Sequence, residues 1–328
     1  MTITGRTARA GRLDVVLAAT FPDLSRSAAA TAVKEGRVLL NGRPATRVSL
    51  QVDADLHVDI APAAGPADLP VARDLPLTLV YVDDHLAVVD KPAGLVVHPA
   101  PGHWDDTLVH ALMFHLPTLS AVGGAQRAGI VHRLDKGTSG LIVVARNDLS
   151  HRCLAAQFAD HSAGRIYLAL VHGTPSADGG ILDRPLGRHP VDRLRQAVRD
   201  DGRRAITHWR VRSRGVGASL VECTLQTGRT HQVRVHLASM GHPLLGDGLY
   251  ARGRTPPKTV APTLQPDGER PMLHALHLHF AHPSGGRAMA FTSRPPADFA
   301  TTARAADCSA SELEEAEPTP TGPSRPLL

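Results

Sequence analysis

With 328 residues, 42% of them hydrophobic, the chain is long enough for one large domain plus a small one, or for two, and can bury a sizeable core. Its net charge of +5 is uneven: a net of −3 over residues 299–328 leaves the rest at +8, a balance compatible with a nucleic-acid partner. Three scattered cysteines (Cys153, Cys223, Cys308) exclude a disulfide framework or CxxC site; with no signal-peptide segment and no apolar run near the ~20 residues that span a bilayer, a cytoplasmic protein is expected.

Residues 1–10 read as a loose basic lead. Residues 11–62 read as a compact α+β unit. In "RLDVVLAATFP" the apolar residues Leu13, Val16, Leu17 and Phe21 have helical spacing. "LSRSAAATAVKEG" predicts a second helix, with Ser25 as N-cap and Gly36 as stop. "RVLLNGRPA" predicts a strand, an Asn-Gly turn at 41–42 and a return strand, and "LHVDIAP" closes the unit by alternation. Arg26, Lys34, Arg37, Arg43 and Arg47, opposed locally only by Glu35, form a basic stripe. Such a stripe suits phosphates, although a solvated face has the same composition.

The full pattern resembles the small RNA-binding module first recognised in ribosomal protein S-four. The matching residues are Arg12-Leu13-Asp14, Ser25-Arg26-Ser27, Gly36-Arg37-Val38, Asn41-Gly42 and Asp55. The resemblance implies an RNA partner, contacted through Arg26, Lys34, Arg37 and Arg43, and leaves the reaction open.

Residues 63–76 have the Ala, Pro and Gly content of a linker. From Leu77 the chain turns to short β-branched runs: "LTLVYVDD", "LAVVDKP", "LVVHP", "LIVVAR", "IYLALVHG", "ASLVECTLQTG" and "HLHFAHP". Helical stretches fall near 107–116, 148–160 and 231–239. A second α+β domain over 77–298 is expected, followed by an acidic, Pro-rich tail over 299–328 without fixed structure.

Within that domain "HRLDKGTSG" sets Asp135 among His132, Arg133 and Lys136 where a core strand begins. It is not a P-loop, which needs a longer glycine-rich loop ending in Gly-Lys-Ser/Thr, and it lacks the Gly-x-Ser-x-Gly of a hydrolase elbow. Taken alone, Asp135 and Arg133 read as the ion pair of a turn. The four histidines His274, His277, His279 and His282 invite a zinc reading, but no cysteine or acidic ligand accompanies them at metal spacing, so no metal is expected.

"HRLDKGTSGLIVVAR" resembles the pseudouridine synthases of the RluA/RluD type. Further blocks resemble that family in order: 90–112, "RIYLALVHG" (165–173), "RRAITHWRV" (203–211), "LQTGRTHQVRVHLASMGHPLLGDGLY" (225–250) and 270–283. The resemblance implies a mixed, mainly antiparallel β-sheet with flanking helices, carrying the small N-terminal α+β RNA-binding domain. It implies Asp135 as the essential carboxylate, Arg229 as the cation that keeps it ionised, and Tyr167 stacking on the target base. Arg133 would fill the space left by the flipped base, Leu134 would wall the pocket, and His132 and His231 would flank the site through structural hydrogen bonds. The implied reaction has no redox step and no group donor, so no cofactor is expected. The implied substrate is large-subunit ribosomal RNA, with transfer RNA or a catalytically idle assembly factor as alternatives, and nothing requires a dimer.

Overall fold

A computed structural model describes residues 3–21, 24, 26–61, 70–100, 102–265 and 269–308. Two compact units divide the chain, Met1–Asp68 and Leu69–Leu328.

In the first unit the elements run β1 (Ile3–Arg6), β2 (Gly11–Arg12), α1 (Leu13–Thr20), α2 (Arg26–Lys34), β3 (Val38–Leu40), β4 (Arg43–Pro44), β5 (Gln51–Val52) and β6 (His57–Ile60). The expected loose lead is instead strand β1, antiparallel to β6 from Ile3 opposite Ile60 to Arg6 opposite His57. Thr7 locks it by donating to the Asp53 carbonyl and accepting from the Leu56 amide. Leu13, Val16, Leu17, Ala32 and Val33 of the two helices bury against Val38, Val58 and Ile60. Asn41 and Gly42 take the positive φ values (47° and 77°) that a tight hairpin turn demands. Ser25, the expected N-cap, lies outside the described residues.

In the second unit they run β7 (Thr78–Val82), β8 (Leu86–Lys91), α3 (Leu108–His115), β9 (Ser139–Ala145), α4 (Asp148–Ala159), β10 (Gly164–His172), β11 (Gly179–Asp183), β12 (Leu186–Arg188), β13 (Gln196–Val198), β14 (Ile206–Arg214), β15 (Ala218–Leu225), α5 (Gln232–Ser239), β16 (Leu273–Ala281), β17 (Ala288–Thr292) and α6 (Ala297–Ala305). The main sheet is ordered β11-β14-β15-β10-β16-β9-β8-β7, with β17 added on β16. Every pairing in it is antiparallel except a short parallel junction of β9 with β16, Ser139 beside His274 and Gly140 beside Ala275. Gly140 sits there at φ 109°, and a Cβ on it would lie 2.3 Å from the Ala275 carbonyl oxygen, so no other residue fits. That junction brings the 132–138 segment, which feeds β9, to the middle of the sheet.

One sheet face, with Val89, Ile142, Val144, Tyr167 and Val221, is covered by α3 and α5 through Leu108, Leu112, Val233 and Leu237. The other, with Leu168, Leu170, Leu220 and Leu276, receives Phe299 and Ala303 of α6. The folded body therefore runs past the expected end at 298, because α6 supplies one lid of the core. Residues 309–328 of the expected tail lie outside the described residues. "LVVHP" is not a strand, because its carbonyls serve a helix: those of Val96 and Val97 accept the first amides of α3, from Leu108 and Val109.

Candidate active site

The 132–138 segment forms one wall of a cavity of about 400 Å³. Several tethers fix its shape. The Thr138 amide closes a turn onto the Asp135 carbonyl (3.1 Å), and Leu134 is buried in the core. The Lys136 carbonyl accepts the Gly94 amide (2.8 Å) and Lys91 Nζ (3.3 Å). Lys91 is fully buried and also donates to the carbonyls of Pro92 (2.8 Å) and Leu95 (2.9 Å). Burial pulls its pKa down to about 7, against the opposing pull of Asp135. The "DKPAG" turn is thus a buttress for the Asp135 loop.

Asp135 opens into the cavity with 15% of its side chain exposed. Its Oδ2 lies 3.5 Å from Arg234 Nη1 and 3.9 Å from His231 Nε2. Arg234 is itself clamped: Nε and Nη2 donate to Asp247 Oδ2 (2.7 Å) and Oδ1 (2.9 Å), a two-point pairing that fixes the guanidinium plane. Asp247 also accepts the amides of Leu249 and Tyr250, and the Arg234 guanidinium stands over the Tyr250 ring, 5.1 Å from its centroid. Burial acts to lower the Arg234 pKa, but Asp247 and Asp135 outweigh it, and the guanidinium is held above its ordinary value. His231 reaches the carboxylate because its backbone is left-handed (φ 56°), turning the chain just before α5. Its Nδ1 meets the Tyr250 hydroxyl at 2.9 Å, and burial lowers its pKa while Asp135 raises it.

The expected cation was Arg229, and the geometry differs. Arg229 lines the same cavity, but its Nε donates to the Arg204 carbonyl (3.0 Å) and its amide to Gln232 Oε1. Among the described residues the ion pairs of Asp135 are with His231 and Arg234. Arg229 stands in the loop before α5, whereas Arg234 is on the helix and points inward between Val233 and Val235.

Tyr167 on β10 lines the cavity with 5% of its surface exposed. Burial raises its phenol to about 12. Arg133 is exposed at the rim of the cavity. His132 also lines the cavity. Its Nε2 accepts the Val143 amide (3.0 Å), its ring packs 4.4 Å from that of Phe158, and burial pulls its pKa to about 3, so it is a neutral post under β9. In the first unit Arg26 pairs with buried Asp14 (2.7 Å) and Arg37 with Glu35 (2.7 Å), while Lys34 and Arg43 point to solvent. The histidines of β16 and its end go separate ways: His274 to Ser139 and the Ser293 carbonyl, His277 to Thr292, His282 to Asp83. Among the described residues no group of three or more His, Cys, Asp or Glu converges as metal ligands would. No described helix is long and apolar enough to cross a membrane.

Residues 85–239 match the family model of RNA pseudouridylate synthases, and residues 11–58 match that of the S4 domain. The chain is 47% identical over 296 residues to the ribosomal large subunit pseudouridine synthase D of Zymomonas mobilis, covering 88% of this chain and 91% of the relative. This chain belongs to the RNA pseudouridine synthase family. The enzyme of the same name from Xanthomonas campestris is 44% identical, with 88% and 86% covered. An uncharacterized RNA pseudouridine synthase of Bacillus subtilis is 42% identical, with 88% and 92% covered. The structure of human RNA pseudouridylate synthase domain containing 1 shares the fold, with a TM-score of 0.56 at 23% identity over 76% of this chain and 99% of that one. In this pseudouridine synthase the cavity holds a carboxylate beside a locked guanidinium, an apolar wall and an aromatic ring.

Proposed function

We propose that this pseudouridine synthase isomerises uridines of large-subunit ribosomal RNA, with Asp135 as the essential carboxylate. The reaction breaks the bond from uracil N1 to the ribose C1′, turns the detached base, and rejoins it through C5. Asp135 either attacks C1′ or takes the 2′ proton on the way to a glycal; both roles need an ionised carboxylate in a mostly dry pocket. The observation that carries the reading is the Asp247–Arg234–Asp135 chain, which sets a fixed positive charge 3.5 Å from that carboxylate. The ribosomal substrate is supported by the names of the relatives and by the S4 domain. Tyr167 stacks on the flipped base and Arg133 fills the gap it leaves in the RNA.

The test is tritium release from RNA carrying uridine labelled at C5. Wild-type protein should release tritium from large-subunit ribosomal RNA, and Asp135→Asn should not. Release confined to transfer RNA would overturn the substrate, release by Asp135→Asn would overturn the role of the carboxylate, and RNA binding without release would make the chain an idle factor.

A further inference from the structure

Arg165 is an arginine that the fold does not use. It lies on β10 two residues before Tyr167, only 7% exposed, and lines the same cavity. Among the described residues its side chain has no ion pair and no hydrogen bond; its buried Nε has no partner. Its guanidinium stands 5.2 Å from the centroid of Phe158, an arrangement that offsets part of the cost of burial, and no described carboxylate pairs with it. Burial lowers its pKa, with Tyr167 the one charged-state neighbour acting the other way. A buried cation left uncompensated is strongly destabilising, so a fold keeps one only where something outside the chain will answer it.

The opposite wall makes room for it. Gly228 is not held at positive φ, so its backbone does not call for glycine. A Cβ there would come within 2.5 Å of Arg165 Nη1, so a side chain at 228 would occupy the space the guanidinium takes.

We infer that Arg165 binds a carbonyl oxygen of the target uracil and holds the negative charge that the ring carries once it has left the sugar. This rests on the reaction proposed above. When the N1–C1′ bond breaks, its electron pair stays with the ring, which departs as a uracil anion with charge shared among N1, O2 and O4. In the same step the Asp135 carboxylate loses its own charge, either to an ester with C1′ or to a proton taken from C2′. One negative charge therefore crosses the pocket from Asp135 to the base. Arg234 stands where that charge starts, and Arg165 is the buried cation available where it ends. When C5 then bonds to C1′, Asp135 is freed or the 2′ proton returned, the C5 proton leaves, and N1 gains one, so the product is an isomer. A backbone phosphate is a poor fit for so deep a group, because exposed Arg133 and Arg203 at the rim would meet it first.

The experiment compares full-length wild type, Arg165→Met and Arg165→Lys on ribosomal RNA labelled at uridine C5. It reads thermal midpoint, RNA affinity, and the single-turnover rate of tritium release at saturating enzyme. Arg165→Met should keep the midpoint and bind RNA within threefold, yet release tritium at least about 100-fold more slowly, the usual loss for one donor aimed at developing charge. Arg165→Lys should recover about tenfold of that loss. Three outcomes would overturn the inference: a saturated Arg165→Met rate within threefold of wild type, a deficit cured by more RNA, or a variant that fails to fold, which would make Arg165 a structural group. Asp135→Asn in parallel separates the two readings, because its failure to abolish release would fault the carboxylate and leave the Arg165 comparison intact.

Discussion

Arg234 and Asp247 are a buried pair next to the carboxylate of Asp135, and their removal singly and together separates folding from catalysis. Arg234 is 8% exposed and Asp247 not at all. Breaking such a pair by removing one member typically costs about 3–5 kcal/mol, because the other is left charged in a dry site. For a domain of this size that is roughly 6–20 °C in thermal midpoint. Arg234→Leu should lie at the upper end, since it strands both Asp247 and Asp135; Asp247→Leu should lie at the lower end, since Arg234 keeps Asp135 at 3.5 Å. Replacing both by leucine removes the stranded Asp247 and leaves only the partly exposed Asp135 without its guanidinium, so the midpoint should recover most of what Arg234→Leu loses, as apolar replacement of a buried pair often does.

Activity should not follow stability. At 3.5 Å and an effective dielectric constant of about 20, the attraction between Arg234 and Asp135 is about 5 kcal/mol. Part of that holds the carboxylate in its place, and a reacting group misplaced by about 1 Å costs roughly a hundredfold in rate. The double leucine variant should therefore be folded and at least about 100-fold slower in single-turnover tritium release. A double variant as unstable as its parents, or a stable one with near wild-type rate, would refute the account of the site.

Arg229→Ala should leave the thermal midpoint within a few degrees of wild type and weaken RNA affinity more than the saturated rate, because Arg229 bonds a loop carbonyl and not the carboxylate; melting curves and single-turnover rates decide it. Tyr167 is held by burial at about 12, so its phenol stays protonated through the working range, and the rate between pH 7 and 10 should show no limb that Tyr167→Phe removes; a tenfold rise per pH unit abolished by that change would show phenolate at work. Lys34→Ala with Arg43→Ala, both solvent-facing, should leave the saturated rate unchanged and reduce the slope of log affinity against log salt by roughly 1–2, about one for each phosphate no longer neutralised; an unchanged slope would place the RNA elsewhere.

Elements with local signals were legible in the sequence. The helices around 107–116, 148–160 and 231–239 carry apolar faces, and β8, β9, β10 and β15 are runs of β-branched and aliphatic residues buried on both faces. The illegible ones owe their state to distant partners. Strand β1, "ITGR", forms only because β6, more than fifty residues on, offers it an edge. Helix α6 reads as an alanine-rich tail until Phe299 and Ala303 meet Leu168, Leu170 and Leu220. "LVVHP" has ideal strand composition, and its carbonyls are drawn off by the first turn of α3.

The same logic separates the two arginines of "GRTHQVR". Composition cannot rank them, since either reaches a carboxylate from a turn. What ranks them is the backbone between: His231 in the left-handed region swings Arg229 toward the loop and starts a helix whose inward face includes residue 234. The signal in the sequence was an arginine between two valines, Val233 and Val235, a position that burial forbids to a charge unless a carboxylate waits for it. Asp247, in the apolar "LLGDGLY", is the same anomaly of opposite sign thirteen residues later. Two charges that each violate the apolar pattern of their own segment answer one another, and the carboxylate of Asp135 is the third member of that set. Arg165, between Gly164 and Ile166 at the head of β10, is a fourth such violation with no answer among the described residues, which is why its partner is sought in the substrate.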